Sequence, residues 1–340
     1  MIGVGKTTLT PPYNKCSKKW LGSVTSMDWK LSQIPNSKEI WHDQALGVSN
    51  FSNLRRLVVD DCTFMPSAIP TNLLPFLNNL KLLEVRNCDS VKEVIHLEEL
   101  NPNEYLGKLF PELRGLYLID LPKLKKFCNF NESIIELPNH LCSLSIENCP
   151  DIVTFIADST PVQPFFNEKV AFPILKELKL SKLPKLLHLC EENSHPNNVF
   201  QELTTLRISG CCKLEKLVPS WMSFQSLVKM EVSKCDGLTK LMTLSPAKSL
   251  VRLRTMKVID CKMIEEIIHV EDGVKEDCIV FSELEFLELS SLPSLTSFCS
   301  RDYALEFPNL KQVISERMSK DGNIFSGSLN HTEAAKITPD

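Results

Sequence analysis

One leucine-based pattern returns along most of this chain and limits what the chain can fold into. The pattern is L-x-x-L-x-L-x-x-(C or L), and it first occurs as Leu54, Leu57, Val59 and Cys62. Further full copies start at residues 80, 113, 141, 175, 203, 227, 253 and 284, and a weaker copy starts at Leu310. The steps between copies run from 24 to 34 residues. So many copies in order indicate a repeat protein.

The pattern predicts an α/β-type leucine-rich-repeat solenoid. Its x-L-x-L segment alternates as a short strand does, with the leucines facing inward and the x residues facing outward. A single repeat cannot bury its apolar face, so neighbouring repeats stack and share one core. We therefore expect a curved parallel β-sheet of about ten short strands on the concave face, and irregular or short helical segments on the convex side. A degenerate first copy is expected around Trp29, Leu31 and Ile34.

Composition and the chain ends limit the other possible classes. The 38 basic residues nearly balance the 42 acidic ones, which argues against a nucleic-acid partner. No apolar run is long enough to span a membrane and the first residues contain no signal-peptide core, so a cytoplasmic location is predicted. The repeats predict a solenoid over residues 21–315. We expect residues 1–20 to be an unstructured stub and the polar residues 316–340 to be a disordered tail.

The 13 cysteines fit the repeat better than they fit a disulfide or zinc framework, because no C-x-x-C pair occurs. Several occupy the last position of the pattern, where a small buried thiol fills space as the chain turns away from its strand. A structural role is predicted for Cys62, Cys88, Cys149, Cys211, Cys235 and Cys261. A second pattern, L-P-x-L-x-x-x-C, contains Cys128, Cys190 and Cys299. No metal site is predicted.

The opening residues resemble part of a phosphate-binding loop. Gly3, Gly5, Lys6 and Thr7 match the end of G-x-x-x-x-G-K-[ST], whose amides and lysine hold nucleotide phosphates. The first glycine and the preceding strand are missing, and two prolines at 11–12 interrupt the helix that should follow. We interpret the segment as vestigial, with no cofactor. The alternative is an ATP/ADP-binding switch whose upstream domain is missing from the gene model.

The rest of the sequence contains no catalytic motif, so the chain is predicted not to be an enzyme. The segment 57–61, LVVDD, resembles a magnesium-binding Walker B strand, but it is in register with the other repeats. The seven histidines lack metal-ligand spacing, and neither G-x-S-x-G nor H-E-x-x-H occurs. Two similar acidic segments, at 94–99 and 267–272, are expected to be convex loops.

The outward strand positions carry the predicted function. The middle outward position varies between repeats, and with Lys176 and Lys229 nearby its central part is basic. Solenoids bind partners on their concave face, although a solvated face would explain any single one of these residues. The residues predicted to form a partner-binding surface are Tyr117, Lys176, Lys179, Arg207, Lys229, Glu231, Lys257 and Glu288.

These repeats resemble the C-terminal region of plant nucleotide-binding leucine-rich-repeat (NB-LRR) immune receptors, especially the coiled-coil subgroup. The resemblance is carried by IPNSKEIWH at 34–42, LRRLVVDDC at 54–62, FSELEFLELSSLPSLTSFCS at 281–300 and FPNLKQVI at 307–314. It implies a defence role, with a pathogen effector or a guarded host protein as partner. The coiled coil and most of the nucleotide-binding domain are absent, which implies a truncated recognition module. A ubiquitin-ligase subunit is a third hypothesis, but residues 1–50 contain no F-box.

Overall fold

A computed structural model of the chain is a stack of repeats that share one elongated core. It describes residues 27–32, 52–63, 65–97, 108–129, 138–157, 164–167, 170, 172–193, 199–270, 278–299 and 304–316. The stub expected at 1–20, with its nucleotide-binding candidates, lies outside these ranges. So do residues 317–340 of the expected tail, whereas residue 316 belongs to the last strand.

Within these ranges the chain forms short strands and very little helix. The strands of the first half are β1 (Asp28–Ser32), β2 (Arg56–Asp60), β3 (Ser67–Ile69), β4 (Leu82–Arg86), β5 (Glu93–Ile95), β6 (Gly115–Ile119), β7 (Cys128–Asn129), β8 (Ser143–Glu147), β9 (Ile156–Ala157) and β10 (Glu177–Ser181). Those of the second half are β11 (Thr205–Ser209), β12 (Lys229–Ser233), β13 (Lys240–Thr243), β14 (Thr255–Ile259), β15 (Glu266–His269), β16 (Cys278–Val280), β17 (Phe286–Ser290), β18 (Ser297–Cys299), β19 (Ala304–Glu306) and β20 (Gln312–Glu316). A 3-10 helix covers Thr71–Phe76, and α1 covers Leu244–Ser249.

Eleven of these strands form one parallel sheet, which confirms the predicted solenoid. Its order is β1-β2-β4-β6-β8-β10-β11-β12-β14-β17-β20, so strands that are neighbours in space belong to successive repeats. The pattern leucines are directly opposite one another, as Leu178 and Leu206 are in β10 and β11, and both are buried. Each leucine therefore fills the core beside its counterpart in the next repeat, and parallel pairing continues along the array.

The sheet includes both of the weak copies that the sequence analysis identified at its ends. In β1, Trp29 and Leu31 lie opposite Leu57 and Val59 of β2, so the strand of the degenerate first copy is confirmed, while Ile34 lies outside the described residues. At the other end, β20 places Val313 opposite Leu287 of β17. Although the end repeats match the pattern poorly, their strands keep the register. β1 has two inward apolar residues, Trp29 and Leu31, whereas β20 has only Val313 and places Ser315 opposite Leu289.

Concave strands are followed by a residue with positive φ, which turns the chain toward the convex side. Asn87 has φ 54° and Gly210 has φ 65°. Asn, Asp and Gly tolerate this left-handed conformation best, yet Lys182 and Lys234 also adopt it, each with φ 54°. The conformation lets the turn residue extend the sheet: the Asn87 N–H donates to the carbonyl of Ile119 in the next repeat at 3.1 Å.

In the described residues the convex side contains several short strands, which the sequence analysis did not predict. They form small parallel sheets, β13-β15-β18, β3-β5, β7-β9 and β16-β19. The acidic segments expected to be loops begin inside β5 and β15, so that expectation is wrong for residues 94–95 and 267–269, while residues 96–97 and 270 lie outside the strands. Val94 and Ile267 are buried there, and the Val94 N–H donates to the carbonyl of Phe127 at 3.0 Å. Buried apolar residues next to the core hold these segments in extended pairing.

Phenylalanine rings fill the centre of the core between residues 127 and 200. Phe166 is buried, and its ring centroid lies 4.8 to 5.8 Å from those of Phe155, Phe165, Phe172 and Phe200. Most of these contacts are edge-to-face, which is the arrangement that the ring quadrupole favours. The cluster joins successive repeats and fixes the spacing of the concave strands above it.

Candidate partner-binding face

Outward side chains of the concave sheet form rows that run across the strands. The third residue of each five-residue strand belongs to what we call the middle row, in which each member lies directly opposite the next. Its members are Lys30, Val58, Glu84, Tyr117, Ser145, Lys179, Arg207, Glu231, Lys257, Glu288 and Ile314. Paired strands lie about 4.8 Å apart, so side chains from several repeats are close enough to contact one partner.

The structure brings the predicted surface residues to this one face. Six lie in the middle row: Tyr117, Lys179, Arg207, Glu231, Lys257 and Glu288. Lys229 is the first residue of β12, two positions before Glu231, and its side chain points outward in the same direction. Lys176 precedes β10 and lies where the chain enters the strand.

The sequence predicted a basic centre for this face, but carboxylates largely neutralise it. Every basic side chain of the central middle row has an acidic neighbour on an adjacent strand. The distances are 2.7 Å for Lys179–Glu147, 2.7 Å for Arg207–Glu231 and 2.8 Å for Lys257–Glu288. Exposed pairs of this kind add little stability. Their effect is to fix the positions of the charges, so the centre presents alternating signs instead of a basic patch.

Glu231 accepts two of these contacts. Lys229 Nζ lies 2.8 Å from one carboxylate oxygen and Arg207 Nε lies 2.7 Å from the other. Burial raises the pKa of Glu231, but the hydrogen bonds from Lys229 and Arg207 outweigh it and lower that pKa. In the next repeats, Lys257 Nζ also lies 4.7 Å from the centre of the Phe286 ring, which adds a cation–π contact.

A tighter charge network covers the first repeats of the sheet. Asp60 ends β2 and is largely buried, and its carboxylate accepts from Lys30 at 2.8 Å, Arg86 at 3.1 Å and Asn87 at 2.9 Å. Burial raises the pKa of Asp60, but these three hydrogen bonds outweigh it and lower the value from 3.8 to about 2. Arg86 also contacts Glu84 at 2.8 Å. This end of the face is therefore held rigidly.

Tyr117 is the large aromatic side chain of the middle row, and a glycine makes room for it. A Cβ at Gly115 would lie only 2.9 Å from Tyr117 Cε2. The ring therefore lies along β6 over the bare backbone of Gly115. Its hydroxyl donates to Ser143 Oγ at 3.3 Å. An anchored, half-exposed tyrosine is the type of side chain that dominates protein interfaces.

The six cysteines at the end of the pattern lie beneath the turns and are fully buried. The backbone N–H of Cys62 donates to Cys88 Sγ at 3.4 Å, and that of Cys235 donates to Cys261 Sγ at 3.5 Å. Burial raises the pKa of the Cys149 thiol to about 12. Each of the six thiols thus fills space and donates a weak bond to a backbone carbonyl two residues before it. None of the twelve described cysteines forms a disulfide.

We expect thiol labelling to separate these cysteines from the accessible ones. In folded protein at pH 8, iodoacetamide should modify the exposed Cys212 at least about a hundredfold faster than Cys149 or Cys235, because only an accessible thiolate reacts. Mass spectrometry after pulsed labelling measures the rates, and a guanidinium-unfolded sample should remove the difference. Equal rates in the folded protein would contradict a buried structural role.

The described part of the chain contains no group of three or more His, Cys, Asp or Glu side chains arranged to hold a metal ion. Asp60, which resembled a Walker B aspartate, accepts hydrogen bonds within the concave sheet. Among the described residues, no helix is long and apolar enough to cross a membrane. Gly3, Gly5, Lys6 and Thr7 lie outside the described residues.

Sequence analysis missed the acidic partners and the first-repeat network. Glu147 and Asp60 occupy the last strand position rather than the middle one, and Lys30 belongs to the degenerate first repeat. The sequence contained the information needed to find them. Residues two positions apart on a strand share a face, so the first and last residues of each five-residue strand face outward together with the middle one. Aligning complete strands, rather than one column, would have found these pairs.

An in-register parallel sheet with cysteine-lined turns and an open outward face defines a leucine-rich-repeat protein with a surface suited to protein contacts. A family model, described as plant disease resistance protein RPS2-like, leucine-rich repeats, matches residues 25–163, 163–223 and 220–332. The chain therefore belongs to this family of plant disease-resistance leucine-rich repeats.

One solved structure is also similar to the chain. It is the leucine-rich-repeat domain of the type III effector XCV3220 (XopL), with 19% sequence identity and a TM-score of 0.40. The match covers 63% of this chain and 62% of that one, so this chain spans less than two thirds of the structure that it matches.

Proposed function

We propose that the concave face is the ligand-recognition surface of a plant intracellular immune receptor. The observation that carries this proposal is the contrast between the two sides of each strand. Inward positions repeat the same apolar chemistry, as Leu178 and Leu206 do, while the middle row changes from Tyr117 to Lys179 to Glu231. A fixed scaffold with a varied outward row is suited to recognising one partner by its shape and charge.

The finer parts of this proposal rest on family membership and on the resemblance to NB-LRR receptors of the coiled-coil type. The partner is a protein, either a pathogen effector or a guarded host protein, and recognition takes place in the cytoplasm. The repeat domain is proposed to cover residues 21–315. Its role is binding rather than catalysis, and the six buried pattern cysteines support the scaffold.

Substitution of three central cations tests the proposed face. With a partner isolated from infected leaf extract and then purified, the triple variant Lys179→Ser, Arg207→Ser and Lys257→Ser should bind at least about tenfold more weakly, because interface charge pairs contribute strongly where they are desolvated. Biolayer interferometry measures the affinity. Circular dichroism and the melting temperature should stay close to those of the wild type, since these side chains point away from the core.

A matched variant carries the same change of charge on the turns that follow the strands. Lys123, Lys213 and Lys262 are exposed there, and replacing all three by serine should leave binding within about twofold of the wild type. Unchanged binding by the Lys179, Arg207 and Lys257 variant would overturn the concave-face proposal. An equal loss of affinity in the two variants would show that only net charge matters, and that result would also contradict the concave-face proposal.

A further inference from the structure

A second row of side chains lies at the edge of the sheet where each strand begins, one residue before its first residue. We call it the rim row: Met27, Arg55, Lys81, Arg114, Cys142, Lys176, Thr204, Val228, Arg254, Glu285 and Lys311. Backbone hydrogen bonds fix its spacing. The Arg55 carbonyl accepts from the N–H groups of Lys81 and Leu82 at 2.8 and 3.0 Å, and the Lys81 carbonyl accepts from Arg114 at 2.8 Å. Rim residues are therefore spaced like the strands.

The cations of the rim row differ between the two halves of the array. In the C-terminal half, Arg254 pairs with Glu283 at 3.0 Å and Lys311 pairs with Glu285 at 2.8 Å. In the N-terminal half, none of the four rim cations forms an ion pair with the described part of the chain. These four are Arg55, Lys81, Arg114 and Lys176, and all except the half-buried Lys81 are exposed.

Two of these cations border a shared recess. A cavity of about 220 Å³ at this edge is lined by Met27, Asn53, Arg55, Asn79, Lys81 and Glu112. Carboxylates also lie along this part of the rim: Glu112, Glu177, which follows Lys176 in the chain, and Glu202. Glu202 is two residues before rim residue Thr204, the position from which Glu283 pairs with Arg254 in the C-terminal half. The four cations are therefore interleaved with carboxylates but form no ion pair with them.

We infer that the N-terminal half of the rim row binds an extended acidic segment of a partner protein. This inference rests on the proposed function. It adds that the partner carries an acidic segment, which contacts the rim row rather than the middle row. From β2 to β10 the sheet advances by four strand spacings, roughly 19 Å. An extended segment of about six residues covers that distance at about 3.3 Å per residue. Its carboxylates would pair with cations that form no ion pair with the described residues.

The same features favour an acidic peptide over a nucleic acid. Glu112 and Glu177 lie among the cations, and a continuous phosphate backbone cannot avoid their charges, whereas a peptide places its carboxylates selectively. The sequence pI is about 6.0, far below that of typical nucleic-acid-binding domains. Immediately beside the rim cations lie Leu82 and Tyr117, which give an apolar contact for a side chain between the partner's carboxylates.

Binding of a defined acidic probe tests the inference. The probe is a fluorescein-labelled peptide of alternating Glu and Ser, about twelve residues long, with a Gln-for-Glu peptide as its uncharged counterpart. Fluorescence anisotropy should show that the whole protein binds the acidic peptide, and that binding weakens as salt screens the charges. The variant Arg55→Gln, Lys81→Gln, Arg114→Gln and Lys176→Gln should bind at least about tenfold more weakly.

The matched control replaces four exposed lysines at the turns, Lys123, Lys185, Lys213 and Lys262, by glutamine and should bind within about twofold of the wild type. Three results would each overturn the inference: wild-type affinity in the rim variant, an equal loss in the control, or tighter binding of an oligothymidylate of similar length. The Lys179, Arg207 and Lys257 variant separates the two proposals. This variant should still bind the acidic peptide with wild-type affinity, because its three substituted side chains lie in the middle row. That result is expected whether or not the variant binds the purified protein partner more weakly.

Discussion

Replacing Phe166 by alanine is expected to lower the free energy of unfolding by about 3–5 kcal/mol, the usual cost of removing a buried phenylalanine. The ring is buried and contacts four other rings, three from its own repeat and Phe200 from the next repeat. The cavity left behind cannot close easily, because the strands above and below it are fixed by sheet pairing. Thermal and urea unfolding, followed by circular dichroism, measure the loss.

The loss should also be local. Each repeat contacts only its neighbours, so hydrogen exchange should accelerate in β10 and β11 and change little in β17 and β20. Val153→Ala is the control, because Val153 is exposed near the same repeats and its truncation should change stability by less than about 0.5 kcal/mol. A Phe166→Ala protein as stable as the control would contradict the account of the core.

Acidification is expected to destabilise the array through Asp60. Its folded-state pKa is about 2, below the ordinary value of 3.8, so its contribution is fully present above about pH 4 and is lost as the pH falls through 2. The difference corresponds to about 2 kcal/mol, somewhat less where water screens the concave face. Asp60→Asn removes the titrating group, so that variant should lose this part of the pH dependence between pH 4 and 2.

Urea unfolding at a series of pH values from 5 to 2 compares the two proteins. Asp151→Asn is the matched control: Asp151 also pairs with a lysine, Lys185 at 2.7 Å, but that pair is exposed. The hydrogen bond from Lys185 also lowers the pKa of Asp151, but water screens this exposed pair, so the control should lose much less of the pH dependence than Asp60→Asn does. If Asp60→Asn and the wild type lose stability in parallel over this range, the carboxylate is not the group whose protonation matters.

The repeat pattern predicted the sheet because inward positions depend on chemistry that is local to each repeat. Leu57, Val59 and Cys62 are enough to place β2, its inward face and its turn, and the same spacing places the other concave strands. Even the weak copies gave the right positions, since Trp29 lies in β1 and Leu310 lies two residues before β20. The convex strands were missed because the residues between the patterns vary in length from repeat to repeat.

The charge pairing of the concave face could not be predicted from one column of residues. Lys179 is neutralised by Glu147, which belongs to a different strand and to a different outward row. Whether a lysine finds such a partner depends on what the previous repeat places diagonally across from it. The rim cations differ from Lys179 in this respect. Arg55 and Lys81 lie near Glu112, yet neither forms an ion pair with the described residues.

The two sides of each concave strand are under separate physical constraints. Substituting an inward residue such as Leu206 creates a cavity, while substituting its outward neighbour Arg207 leaves the packing intact. New binding specificity can therefore arise through single substitutions that do not compromise folding. Because every repeat joins its neighbours through the same register, whole repeats can also be exchanged or duplicated. The outward surface can thus change in chemistry while the scaffold keeps its structure.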